Sequence, residues 1–338
     1  MSQADMALVR DSVPGGFNLA VGEPFFLQEV YGPLYPQHFG GKLTYPLLTG
    51  DPELVGMLQQ RYGGQEVVIT NGAKQALLAA CHALQTLRNA DVDETHDYMQ
   101  VYHPAPYWPT YPTIADLSGL GFTSGGSAPN TLNILTAPNN PNGSMEDQTR
   151  LQWDIWDAAY ASRVYGWDYL VPFHRISVWS GAKLYGPSGY RVGWLVTADK
   201  RLARLAAEYV EKTTSGVATP SQYFMKGLLK NMASLSPEED ARLHQKARGL
   251  LLETSKEFME LRHHFKAVDG VPAHGAGMFA WVQAKDPDDF KRLLGLAKVK
   301  VVGGQFLGSE PDWFRVSLGV TPNTMREAVR AIQEVERG

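Results

Sequence analysis

Ser180-Gly181-Ala182-Lys183-Leu184-Tyr185-Gly186-Pro187-Ser188-Gly189-Tyr190-Arg191-Val192-Gly193-Trp194 is the stretch on which the reading of this chain turns. It carries Lys183, three spaced glycines (Gly186, Gly189, Gly193) and Arg191, and it lies between two strand-like runs, Ile176–Trp179 and Arg191–Thr197. Glycines at this spacing let a backbone approach another group closely, and an arginine holds a phosphate or carboxylate through two parallel hydrogen bonds. Upstream, Val67–Thr70 reads as a buried strand, Asn71-Gly72 as a turn, and Lys74–Arg88 as a helix with a long apolar face. Further short strands are expected at Tyr98–Tyr102, Thr131–Thr136 and Ile155–Tyr160, joined by connections rich in Pro, Gly and Asn. Such alternation predicts an α/β body with a mostly parallel sheet. The pattern changes beyond Pro220. Ser236-Pro237-Glu238-Glu239 offers a serine N-cap, a proline at the first helical position and a glutamate three residues after the cap, so a long helix is expected from Pro237 towards His264. Strands at Met278–Val282 and Val299–Val302 and a last helix at Thr324–Val335 make a small α+β unit. The expected division is a large domain over residues 30–235 and a small one formed by residues 1–29 and 236–338.

Composition removes several classes of function. With 44% hydrophobic and 20% charged residues in a chain of 338, disorder, coiled coil and collagen-like structure are excluded, and a sizeable core is affordable. Lysine and arginine number 31 against 35 acidic residues, a net charge of -4 with no basic block, so nucleic acid is not the expected partner. No run of 18 apolar residues occurs, and Met1–Met6 lacks the basic and apolar regions of an export signal, so no membrane association is expected. The single cysteine, Cys81, sits in an apolar helical stretch and reads as a small buried hydrophobe, which fits a cytoplasmic setting. The nine histidines form no metal pattern, and His263-His264 near the end of a polar helix reads as a solvated face. His103 and His174 are read as structural, or as supporting neighbours of a site.

The segment around Lys183 resembles the lysine motif of fold-type I pyridoxal-phosphate enzymes, the aspartate aminotransferase superfamily, S-x-x-K-x-x-G-x-x-G-x-R-x-G. Other elements follow in the family's order. Asn18-Leu19-Ala20-Val21-Gly22-Glu23-Pro24 is similar to its N-terminal N-L-x-x-G-E-P segment. Thr70-Asn71-Gly72-Ala73-Lys74-Gln75-Ala76-Leu77 resembles its phosphate-cup turn, and Asn139-Asn140-Pro141-Asn142-Gly143 its N-P-x-G turn. Asp157-Ala158-Ala159-Tyr160 resembles its D-x-x-Y strand end, and Trp313-Phe314-Arg315-Val316-Ser317 the strand of its carboxylate-binding arginine. Pro104-Ala105-Pro106-Tyr107-Trp108-Pro109-Thr110-Tyr111 is closest in wording to the alliinase and plant tryptophan aminotransferase branch.

The resemblance implies pyridoxal 5'-phosphate as cofactor and a role for each of these residues. Lys183 would form the Schiff base and then move the proton at the substrate's Cα, work that needs a neutral amine. Asp157, costly to bury unpaired, would meet the protonated pyridine nitrogen, while Tyr160 and Asn140 would hydrogen-bond the ring oxygen. Gly72, Ala73 and Lys74, at a helix N-terminus, would hold the phosphate with Ser180 and Arg191. Trp108 would stack on the ring, with Tyr107 and Tyr111 next in line. Arg315, with Gly22 and Asn140, would bind the substrate, and the side chain of Lys74 has no assigned place. Tyr45 and the Thr213–Gln222 loop would reach a partner's site, which implies a homodimer with shared sites.

The first expectation is therefore an aminotransferase that carries an amino group from an amino acid to a 2-oxo acid through pyridoxamine phosphate. The same scaffold also runs β-elimination, decarboxylation and other Cα chemistry, so an alliinase-like C–S lyase, a decarboxylase or a specialised biosynthetic enzyme stands beside it. A regulatory protein that keeps the fold without turnover is the reading from another class, and the presence of Lys183, Asp157, Tyr160, Asn140 and Arg191 argues against it.

Overall fold

The structure, a computed structural model, describes residues 13–37, 43–90, 98–145, 153–166, 175–271 and 277–338. Met1–Met6 and His174 lie outside them. Strand β1 (Phe17–Asn18) and helix α1 (Phe25–Tyr31) come first. Helix α2 (Pro52–Arg61) starts where the Asp51 carboxylate accepts the Leu54 N–H at 2.9 Å, and it leads into β2 (Glu66–Thr70) and α3 (Ala73–Ala90). Then come β3 (Gln100–Tyr102), α4 (Tyr111–Leu117), β4 (Gly121–Thr123), β5 (Thr131–Thr136), β6 (Ile155–Asp157), β7 (Ile176–Ser180), α5 (Gly181–Tyr185) and β8 (Gly193–Thr197).

These strands form one seven-stranded sheet in the order β2-β8-β7-β6-β5-β3-β4, parallel throughout except at β8, which runs against both its neighbours. The reversal follows from the short connection. A parallel return needs a long crossover, whereas Ser180 and Gly193 are already paired across the short lysine-bearing connection. That connection is thereby held at the carboxyl ends of β5, β6 and β7, the edge where open α/β sheets bind ligands.

Helices cover the sheet, so its strands other than the β3 and β4 edge are buried along nearly their whole length: Val67, Val68, Ile134, Leu135, Val178 and Leu195 are all inaccessible or nearly so. Trp156, Trp179 and Trp194 fill the layer beneath it, each with its indole N–H satisfied, by Ala137 O at 3.2 Å, Ser177 Oγ at 2.9 Å and Tyr62 Oη at 3.1 Å respectively. Large rings can be buried there without leaving a polar atom unpaired. Gly193 opens β8 where any side chain would meet backbone, since a Cβ would stand 2.6 Å from Gly72 C and 2.7 Å from Trp179 O. The absent side chain is what lets β8 lie against the β2–α3 turn.

After α6 (Lys200–Thr214) and α7 (Thr219–Ala233), helix α8 (Pro237–Phe258) opens with the expected capping box, Ser236 and Glu239 each bonding the other's backbone N–H. It ends at Phe258 and tightens into a 3-10 stretch, Met259–His264. Strands β9 (Phe265–Asp269) and β10 (Phe279–Ala284), helix α9 (Pro287–Leu296), strands β11 (Val299–Lys300), β12 (Val302–Gly303) and β13 (Trp313–Ser317), and helix α10 (Pro322–Arg337) complete the chain. The second sheet is antiparallel, β12-β13-β10-β9.

Three expectations are corrected here. Val299–Val302 is not one strand: β11 pairs with β1 in parallel, and after Val301 the chain changes partner to β13. The strand expected at Ile155–Tyr160 stops at Asp157, whose Oδ1 accepts the Ala159 N–H at 3.1 Å and turns the chain. His263-His264 is only half a solvated face, for the His264 side chain keeps 12% of its exposure against 53% for His263. One buried apolar cluster runs through both sheets, joining Ile134 and Leu195 to Phe265, Val282 and Phe314. Among the described residues no helix is long and apolar enough to cross a membrane.

Candidate active site

Three adjacent parallel strands end in polar residues, Thr136 on β5, Asp157 on β6 and Ser180 on β7, and all three line one cavity of about 300 Å³. Gly22, Ala73, Lys74, Trp108, Asn140, Tyr160, Lys183, Arg191 and Arg315 line it too. Eleven of the thirteen residues singled out from sequence thus converge on one place. Gly72 lies just behind, and Tyr45 lies elsewhere.

Asp157 is 4% exposed. Its Oδ2 accepts the Tyr111 hydroxyl at 2.8 Å and its Oδ1 the Ala159 N–H, yet burial outweighs both bonds and pushes the carboxyl up to about 6. No cationic side chain is among the groups acting on it. Behind Tyr111 the network continues. The Tyr111 hydroxyl touches Thr136 Oγ1, which lies 2.9 Å from His103 Nε2, and His103 Nδ1 lies 2.7 Å from the Pro104 carbonyl. Burial brings His103 down to about 4, so the ring is neutral. Facing a carbonyl, Nδ1 carries the hydrogen, which leaves Nε2 to accept from Thr136. Tyr111 donates its hydroxyl hydrogen to Asp157, since an ionised carboxylate can only accept.

Lys183 stands in the five-residue helix α5, fixed by its buried neighbours Ala182, Leu184 and Tyr185, and its Nζ donates to the Gly22 carbonyl. Arg315 is 5% exposed on β13. Its Nη1 donates to Asn140 Oδ1 and its Nη2 to the Ala20 carbonyl, both at 2.9 Å, and its guanidinium stacks 4.5 Å from the Phe279 ring centre. Its Nε is buried without a hydrogen-bond partner. Desolvation lowers Arg315 only to about 10, so the cation persists at neutral pH with one donor unmet. Asn140 also reaches the Tyr160 hydroxyl at 3.4 Å, and burial holds that phenol well above its ordinary range, as a neutral donor.

The rim is basic. Helix α3 begins at Ala73, and Gly72 takes φ +79°, the left-handed region where a side chain is strained. A Cβ there would stand 2.5 Å from Arg191 Nη2, so the guanidinium lies directly over the turn. The Lys74 ammonium lies 5.5 Å from the centre of the Trp108 ring, which places the side chain that sequence alone left unassigned. Helix N-terminus, Arg191, Lys74 and Ser180 together make an anion-binding corner.

The two other aromatic candidates fall differently. Tyr111 lines the cavity, its hydroxyl bonded to Asp157 and its ring stacked on His103, 4.8 Å between centres. Tyr107 lies outside the cavity, held edge-on to Phe122 and against Gly308, where a Cβ would stand 2.3 Å from its ring. Trp108 does line the cavity, edge-on to Tyr111. Phe279 and Thr136 were not legible as site residues. His103 and Tyr111 were, as a supporting neighbour and as a stacking candidate, but their joint support of Asp157 was not. Tyr45 is 86% exposed and lines a separate open groove of about 930 Å³ with Leu43, Pro46 and the 213–220 loop. Lys74 and Arg191 border both spaces.

A sheet reversed only at β8, with a lysine in the β7–β8 connection and a carboxylate ending β6, defines fold type I of the pyridoxal-phosphate-dependent transferases. Residues 55–335 match the family model Alliinase_C, described as allinase, and the chain belongs to that family. It is 25% identical over 287 residues to tryptophan aminotransferase-related protein 2 of Arabidopsis thaliana, covering 75% of this chain and 62% of that protein. It is 27% identical over 319 residues to an aspartate aminotransferase of Streptomyces avermitilis, covering 80% of this chain and 74% of that one. The chain thus spans less than two thirds of the plant relative's length. The crystal structure of an aspartate aminotransferase from Thermotoga maritima superposes with a TM-score of 0.72 at 21% identity, covering 99% of this chain and 95% of that one. The fold is the same.

Proposed function

We propose that this chain is a pyridoxal-phosphate-dependent aminotransferase that carries an amino group from an amino acid to a 2-oxo acid. The observation that carries the reading is a pair of unmet demands in one cavity: a buried carboxylate, Asp157, acted on by no cation, and a buried cation, Arg315, with an unpaired Nε. A pyridinium nitrogen answers the first and a substrate carboxylate the second. The corner formed by Gly72, Ala73, Lys74, Ser180 and Arg191 suits a phosphate, and Trp108 offers a flat face for a ring, so the residues present fit the cofactor. Bound there, pyridoxal phosphate supplies an aldehyde that condenses with amines and a ring that takes up electrons from the substrate's Cα. The chain supplies the rest. Asp157 would keep the ring nitrogen charged, Tyr160 and Asn140 would hydrogen-bond the ring oxygen, Arg315 would orient the substrate through its carboxylate, and the Lys183 amine would move the proton at Cα.

A second reading has its own support. The allinase family match favours C–S bond cleavage in a cysteine derivative, with pyruvate and ammonia as products. Incubation with pyridoxal phosphate and single amino acids, tryptophan, aspartate and an S-alkyl cysteine among them, separates the readings. The expected result is conversion of the bound aldehyde's absorption band into that of the pyridoxamine form, reversed by a 2-oxo acid. Pyruvate release without that conversion would replace transfer by elimination, and failure to bind the cofactor would remove both.

The proposal includes a homodimer. Leu43, Tyr45, Leu47 and Leu48 form an apolar strap, 77%, 86%, 64% and 43% exposed, beside the groove that Lys74 and Arg191 share with the site. A second copy covering the strap would bring its own Tyr45 to that corner. Light scattering is expected to give twice the chain mass, and a monomer mass at micromolar concentration would rule the arrangement out.

A further inference from the structure

His263 and His264 close the 3-10 stretch after α8, and Glu336 lies in the last turn of α10, 72 residues further on. The fold brings them together. His263 Nε2 is 3.2 Å and His264 Nε2 3.6 Å from the same atom, Glu336 Oε1, and the three ligand atoms all lie within 4.8 Å of one another. The two imidazole rings lie 4.1 Å apart, both turned towards the carboxylate. His264 Nε2 is buried and has no hydrogen-bond partner, its distance to Glu336 being too long for one. A buried ring nitrogen left unpaired and aimed at a carboxylate is what a metal ligand looks like before it is engaged.

We infer that His263, His264 and Glu336 form a site for one divalent transition metal of the zinc type, tying the C-terminal helix to the end of α8. Zinc bonds of 2.0–2.1 Å at tetrahedral angles separate neighbouring ligands by about 3.3 Å, close to the two distances to Glu336. Two imidazoles and a carboxylate suit zinc or its neighbours better than calcium or magnesium, which take oxygen ligands. The side chains of His263 and Glu336 are 53% and 40% exposed, which gives the ion an entry path and water a fourth position. The other charge facing His264 is Asp289 of α9, itself held by Arg292 at 2.8 Å. None of the three ligands lines the Lys183 cavity, so the site stands whatever reaction that cavity runs.

The test uses full-length, untagged protein loaded with pyridoxal phosphate and titrated with zinc chloride by calorimetry. One equivalent is expected to bind at micromolar zinc and to raise the Tm. His263→Asn and Glu336→Gln, at exposed positions where the fold tolerates change, are each expected to weaken binding at least about tenfold and to abolish the Tm shift. His82→Asn, on α3 away from the cluster, is expected to leave both unchanged. No zinc uptake by the wild type, or binding within about twofold of wild type in both cluster variants, would overturn the site.

Discussion

Lys183→Ala is expected to lower turnover by roughly 10⁴-fold while leaving the folded protein's Tm within a few degrees of wild type. The loss is large because one amine serves twice, first as the group that holds the cofactor's aldehyde and then as the acid and base acting at the substrate's Cα. The fold is spared because α5 is fixed by its buried residues Ala182, Leu184 and Tyr185, while the lysine's Nζ meets the Gly22 carbonyl at the cavity wall. Two measurements check it: the amino-transfer rate with the donor found by the absorption titration, and the absorption of the bound cofactor before substrate is added. The variant should hold pyridoxal phosphate through Arg191, Ser180 and the α3 N-terminus but show the spectrum of a free aldehyde. A variant that retained more than a tenth of wild-type turnover would show that another group moves the proton, and the reading of the cavity would fall with it.

What sequence could and could not disclose follows from how far apart the interacting groups are. Local devices are legible: the Ser236 and Glu239 capping box, the Gly72 turn into α3, and the lysine-bearing connection between two strands all act within a few residues, whereas the reversal of β8 is not legible. Residues that must reach a common cavity are legible through the family's wording, which marks Lys183, Asp157, Asn140 and Arg315 although they stand far apart in the chain. The partners of those residues were not. Arg315 bonds Asn140 across 175 positions, and Tyr111 supports Asp157 across 46, while an aromatic in an aromatic run reads from sequence only as a stacking candidate. The break at Val301 was hidden for a similar reason. Four apolar or half-apolar residues in a row look like one strand, and only the presence of two different partners, β1 and β13, shows that they are two. His263 and His264 read as polar helix end because Glu336, the group they face, is 72 residues away.

Asp157→Asn is expected to act in opposite directions on stability and on activity, and pH separates the two. In cofactor-free protein the Asp157 carboxyl is raised by burial to about 6 from its ordinary 3.8. A carboxyl whose folded pKa lies above its unfolded one binds its proton more tightly in the folded state. Its contribution to stability is therefore complete below about pH 4 and is lost as the pH rises through 6, where the fold must keep a desolvated charge. The two-unit gap corresponds to roughly 3 kcal/mol as an upper figure. An amide carries no such charge, and it can still accept the Ala159 N–H and donate to the Tyr111 oxygen, whose own hydrogen then turns to Thr136. The Tm of the cofactor-free variant should accordingly exceed that of wild type at pH 8, and the difference should shrink to nothing by pH 4. With pyridoxal phosphate bound the order reverses, because the charge that burdened the empty site is the partner of the ring nitrogen. Turnover should fall by roughly 10²–10³-fold, the usual cost of removing one preorganised electrostatic partner, and the stabilisation that wild type gains from the cofactor should be larger than the variant's. A variant equally stable with wild type across pH 4–8, or one as active, would mean that Asp157 is not the ionised group beneath the ring.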